Sequence, residues 1–160
     1  GHLASPATLG AFARAVAEAL PATAQGVRVA GDLDAQVERV AVVGGSGDSL
    51  FDAVRVSRAD VYLTADLRHH PASELRERAE LEALRGGRPA ADGRPFLVDV
   101  AHFASEWPWL EHAARRLTAD VHLAHGPGTT VETRVSTRRT DPWTARLASP
   151  AAPSVGGSQP

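Results

Sequence analysis

The feature that most constrains this chain is the spacing of three short apolar runs. They are Val40-Ala41-Val42-Val43, Asp60-Val61-Tyr62-Leu63-Thr64 and Phe96-Leu97-Val98-Asp99-Val100. Each has the length and β-branched content of a buried strand rather than a helix. Each is followed by apolar residues at helical spacing: Leu50, Phe51, Val54 and Val56; then Leu75, Leu81 and Leu84; then Trp107, Trp109, Leu110, Ala113 and Leu117. Strands that alternate with helices pair in parallel through right-handed crossovers. The expected fold is therefore a layered α/β/α domain with a mixed, mainly parallel sheet.

The remaining segments complete that outline. Ser5-Pro6 reads as a helix cap followed by proline at the first helical position. Leu9, Phe12, Val16 and Leu20 carry that helix to Pro21. Gly26–Ala30 is a short strand candidate. Pro71 should open a helix that ends at Gly86-Gly87. Pro108 is expected in the first turn of the helix after the third run. Asp120–Ala124 and Thr130–Ser136 bracket Gly126-Pro127-Gly128 and suggest a hairpin. Thr140–Thr144 reads as a compact turn with Trp143 docked on the body. Gly1-His2, in a chain without methionine, reads as the scar of a cleaved tag. The expected division is a tag remnant or linker at 1–4, the domain at 5–146, and a disordered Ala/Pro/Ser/Gly tail at 147–160.

Composition narrows the chemistry. A chain of 160 residues is enough for one domain with a real core. It has no cysteine, so thiolate ligands and disulfides are excluded, and a metal site must use histidine and carboxylates. The net charge of −2 and the lack of a basic stretch argue against a nucleic-acid footprint. No apolar run has the length of a membrane span. A cytoplasmic location is expected.

Three chemically dense segments follow the three strands, where ligands gather in open α/β sheets. Gly44-Gly45-Ser46-Gly47-Asp48-Ser49 is a strand-to-helix turn that could cradle an anion with backbone N–H groups. It lacks the lysine of a phosphate loop and the spacing of a dinucleotide fingerprint. The favoured reading is a tight glycine turn needing positive φ that lines a cleft, without a committed phosphate role. Gly45, Ser46 and Gly47 are its candidate substrate-binding residues. Asp66, His69 and His70 follow the second strand and offer proton-transfer or metal-binding groups; adjacent histidines point apart, so at most one faces a cleft. His102 and Glu106 follow the third strand. Their i,i+4 spacing puts imidazole and carboxylate on one helix face, where they could share a metal ion. A helix N-terminus capped by Ser105, with a chance histidine, fits the same residues. His112, His122 and His125 read as surface groups.

Four segments together resemble the C-terminal half of the Nif3-like family, also called dinuclear metal centre or type 2 GTP cyclohydrolase I proteins. They are Val40–Gly47, Ala59–His70, Val98–Glu106 and Thr140-Asp141-Pro142. The resemblance implies homohexameric toroids with two divalent ions per subunit. It implies that His102 and Glu106 are metal ligands, that His70 lies in the same cleft, and that Asp66 stands where the family has an acidic residue. The family's other ligands come from an N-terminal half that this sequence does not contain. His69-His70-Pro71 spells a tripeptide of that half, but its neighbours place it in the C-terminal motif.

Two functional classes follow. One is a metal-dependent hydrolase of a nucleotide or phosphorylated small molecule, with its site incomplete in this chain. Zinc, manganese, iron or nickel would suit the ligands, with His70 or Asp66 as general acid or base. The other is a non-catalytic, metal-binding assembly module. A metal-free domain that oligomerises through Trp107 and Trp109 is a third reading.

Overall fold

The computed structural model describes residues 1–126 and 128–148. Five strands form a sheet in the order β1-β3-β4-β5-β2. They are β1 (His2–Thr8), β2 (Arg28–Ala30), β3 (Gln36–Ser46), β4 (Val61–Ala65) and β5 (Phe96–Val100). The centre is parallel: Val61 pairs with both Val40 of β3 and Phe96 of β5. The two edges, β1 on β3 and β2 on β5, are antiparallel. This is the mixed α/β sheet that the spacing of the apolar runs predicts.

Strand alternation divides the core between the two faces. Leu9 and Val16 of α1 (Leu9–Ala19) pack with Val37, Val40, Val61, Phe96, Val98 and Val100 on one face. On the other, Val54 of α2 (Phe51–Ser57) and Leu75 of α3 (His69–Arg85) pack with Tyr62, Leu67 and Leu97. The layers are thus helix, sheet and helices. Because β3, β4 and β5 are parallel, Ser46, Ala65 and Val100 all end at one edge of the sheet.

Several local expectations are corrected. The first helix begins at Leu9, not Pro6, and Thr8 caps it by accepting a hydrogen bond from the Ala11 N–H at 3.1 Å. His2–Thr8 instead adds an edge strand. Pro6 falls where the register shifts between His2 and Ala7, so its missing N–H breaks no regular ladder. The glycine segment is not a turn from Gly44 onward, because β3 continues through it to Ser46. Gly45, at φ +75, sits in the irregular stretch between the Val42 and Ser46 pairings.

The largest correction lies after β5. Pro108 divides the expected helix into α4 (His102–Glu106) and α5 (Trp109–His125). Asp120–Ala124 belongs to the end of α5, not to a strand, and among the described residues Thr130–Ser136 pairs with no strand. Leu110, Ala114, Leu117, Val121 and Ala124 extend the helical spacing through the expected hairpin. An Arg116–Asp120 ion pair at 2.9 Å spans one turn of it. Trp143 is 65% exposed and borders a cleft rather than burying itself. The expected tail falls almost wholly outside the described residues. Among those residues, no helix is long and apolar enough to cross a membrane.

Candidate metal centre

At the carboxyl edge of the sheet, three side chains from two elements meet. His102 opens α4 directly after β5, and Glu106 lies one turn on. Asp66 follows β4. The His102 imidazole stands between the two carboxylates, with Nδ1 2.7 Å from Asp66 Oδ2 and Nε2 3.1 Å from Glu106 Oε1. All three side chains are about half exposed. They border a cleft of about 950 Å³, whose lining includes Trp107, Trp109, Arg138 and Trp143. Its far wall is the segment after α5, tied down where the Trp107 indole N–H donates to the Ser136 carbonyl at 3.0 Å.

The backbone around the site explains why these groups converge. Asp66 has φ +54, a left-handed conformation that aspartate tolerates better than most residues. The next residue holds that turn, for the Leu67 N–H donates to Asp99 Oδ1 at 2.9 Å in a buried contact. Asp99 is itself buried in the middle of β5. Gln25 Nε2 donates to it at 3.0 Å, and Arg28 makes an ion pair with it. Unpaired, such a carboxylate would be costly; here its oxygens are matched. A charged residue inside the apolar run Phe96–Val100 was the sequence signal for this anchor, to which the sequence reading gave no role.

The glycines hold the other side. The Gly45 N–H donates to Ser105 Oγ at 2.8 Å, and the Ser105 hydroxyl donates to the His102 carbonyl at 2.7 Å. A side chain on Gly45 would place its Cβ 2.7 Å from Glu106 Oε1 and 3.4 Å from His102 Cε1. At Gly47 a Cβ would fall 2.1 Å from Thr64 Oγ1. The Gly47 N–H is already bonded to the Ala65 carbonyl at 3.3 Å. The glycine run therefore lets α4 approach β3. Gly45 and Gly47 already direct their N–H groups into the protein, and Ser46 is exposed beside them.

Of the residues singled out in the sequence, the structure brings together Asp66, His102 and Glu106, with Gly45 packed against them. It does not bring in His70. That residue lies in the first turn of α3, exposed, stacked edge-on against His69 at 5.2 Å, and it does not line the cleft. Ser105, considered only as a helix cap, is the link between α4 and the glycine strand.

The hydrogen bond from His102 to Asp66 raises the histidine pKa above its usual value, and the Glu106 carboxylate adds to the effect. With the Nδ1 proton directed at Asp66, the Nε2 lone pair faces Glu106 Oε1. Two acceptors at 3.1 Å need a proton or a cation between them. A divalent ion suits the pair: ligands at about 2.0–2.2 Å in a tetrahedral site lie roughly 3.4 Å apart. Two ligands are fewer than the three or four such a site requires. Among the described residues, no cluster of three or more histidines and carboxylates is placed to hold an ion.

Comparison with known proteins agrees with this arrangement of elements. The Duf34/NIF3 family profile (NGG1p interacting factor 3) matches residues 1–142. A Streptomyces coelicolor protein called "GTP cyclohydrolase 1 type 2 homolog" is 47% identical over 98% of this chain and 49% of its own length. A Mycobacterium tuberculosis protein of the same name is 45% identical over 89% of the chain and 32% of its own length. The crystal structure of a Bacillus cereus protein related to NIF3 superposes with a TM-score of 0.67 at 28% identity, covering 90% of this chain and 34% of that one. The chain thus spans about half the length, or less, of the curated relatives it matches. It belongs to the DUF34/NIF3 family.

Proposed function

We propose that this chain is the C-terminal half of a Nif3-like protein and contributes two ligands, His102 Nε2 and Glu106, to a divalent-metal site. The observation that carries this reading is the 3.1 Å approach of those two atoms at the mouth of the cleft. The remaining ligands would come from the portion of the longer relatives that this chain does not match. Held there, a divalent ion would supply Lewis-acid chemistry. His102 and Glu106 orient themselves toward it through the i,i+4 geometry of α4. Gly45 keeps the approach to them open, and Trp107 and Trp109 line one side of the cleft.

The activity proposed for the whole protein is metal-dependent hydrolysis of a nucleotide or other phosphorylated small molecule, in the cytoplasm. The names of the relatives support the nucleotide class. Arg138, on the cleft wall, is the cation available to a phosphate. The test is turnover of nucleoside triphosphates by the full-length protein, before and after chelation, beside His102→Ala. Loss of turnover with the assembly intact supports an enzyme. Unchanged turnover in both conditions overturns the proposal.

A second reading is a metal-binding assembly module, a subunit of a homohexamer without catalysis. Its support is α5, which buries none of its 17 residues. An unsupported helix face of that length suits an interface. If His102→Ala disperses the oligomer, the metal is structural and this reading replaces the first.

A further inference from the structure

We propose that Asp66 is a positioning residue: it holds His102 in the Nδ1–H tautomer and so presents Nε2, beside Glu106, to the cation. The proposal rests on the reading of His102 and Glu106 as ligands. A carboxylate is only an acceptor, so the 2.7 Å contact between Asp66 Oδ2 and His102 Nδ1 places the hydrogen on Nδ1. In the neutral ring the lone pair is then left on Nε2, on the Glu106 side. In this proposal Asp66 acts not as a general acid or base but through its contact with the imidazole. Nor does it join His102 and Glu106 as a third ligand, since no such trio is placed to hold an ion among the described residues.

The backbone points the same way. Residue 66 carries φ +54, where glycine is unstrained and other residues are not. The strain has a use if the side chain at that place is needed. The turn is fixed from below by Asp99 through the Leu67 N–H. Arg28 and Gln25 in turn fix Asp99. Two hydrogen bonds, one on each side of the Asp66–Leu67 peptide, thus tie the middle of β5 to the imidazole. Support of this kind sets both the tautomer and the ring orientation of a metal-binding histidine.

The test uses two substitutions that keep the backbone geometry. Asp66→Gly removes the acceptor and relieves φ. Asp66→Asn keeps one acceptor oxygen and a residue type that tolerates the left-handed region. Two readouts are taken on this chain. The first is the ¹⁵N NMR signature of the His102 ring in metal-free protein, at a pH where the ring is neutral. The second is zinc binding by equilibrium dialysis, beside His102→Ala.

The wild-type ring is expected as the Nδ1–H tautomer, and as a mixture in Asp66→Gly. Zinc affinity is expected to fall about 10–100-fold in Asp66→Gly, and less in Asp66→Asn. If His102→Ala abolishes binding while Asp66→Gly leaves it unchanged, the ligand reading stands and the positioning role is overturned. If His102→Ala leaves binding unchanged, the ligand reading fails. The ring signature then decides Asp66 alone: a tautomer shift in Asp66→Gly supports its positioning role, and no shift overturns it.

Discussion

Strand β5 and helix α5 lie close together in the chain and are opposite in physical state. Every residue of Phe96–Val100 is buried, between parallel β4 on one side and β2 on the other. None of the residues of Trp109–His125 is buried, and Trp109, Leu110, Leu117 and Leu123 are each at least 40% exposed. The first region is finished by its own sequence, while the second presents an apolar stripe with little beneath it. The proposed ligand pair, His102 and Glu106, stands on α4, between them. Its back is anchored in the finished part, and its front opens toward the unfinished one.

The comparison is broken most directly at β5. Phe96 is fully buried, and two arginines pack on its ring: Arg76 at 5.1 Å and Arg94 at 4.8 Å. Phe96→Ala is expected to cost about 3–5 kcal/mol, from lost burial and the cavity left behind. Chemical denaturation followed by circular dichroism measures it. A loss comparable to a surface substitution would show that β5 does not carry the core.

Gly47→Ala sharpens the account of the glycine strand. Its Cβ would meet Tyr62 Oη at 2.4 Å as well as Thr64, and both side chains are fully buried. Overpacking of about 1–3 kcal/mol is expected in the same denaturation experiment. A neutral result would mean that the strand shifts easily and that Gly47 is there for another reason. At α5 the expectation reverses. Leu117→Gln should change the stability of the monomeric chain by less than about 0.5 kcal/mol, while improving its solubility at high concentration.

The smallest effect concerns pH. The folded state raises the His102 pKa, so the protonated ring is favoured by folding. Its contribution is fully present below the unfolded value of about 6.5 and is lost as pH rises through the higher folded value. The ring is half exposed, so solvent screening keeps the contribution small. In metal-free protein, wild type should exceed His102→Ala in denaturation midpoint on the acid side, and the difference should fade with rising pH. A difference that grows with pH would reverse the assignment of the Asp66 hydrogen bond.

How much of this was legible beforehand depended on whether the signal was local. The three central strands announced themselves through short β-branched runs. The i,i+4 relation of His102 and Glu106 needed only helical spacing. Asp66 was singled out for its place after a strand, but its contact with His102 joins residues 36 apart in sequence and needed the sheet register. The glycines gave a real signal with an ambiguous cause. Their spacing looked like an anion-binding turn, and the structure shows close approach between β3 and α4 at Gly44 and Gly45. His70 was singled out by its motif, and the structure sets it in the first turn of α3, outside the lining of the cleft. The hairpin failed because five residues of Asp120–Ala124 alternate no better than they follow a helix, and α5 had the longer run. Edge strand β1 was hidden behind Ser5-Pro6, which reads as a helix start wherever no neighbouring strand is known.

The most direct test of the central claim is elemental analysis of this chain after exposure to excess zinc or manganese and dialysis, beside His102→Ala and Glu106→Gln. The account predicts weak but measurable retention, below one ion per chain, that is lost in both variants. Retention that is the same in all three proteins would contradict it, because the ion would then be held by groups other than His102 and Glu106.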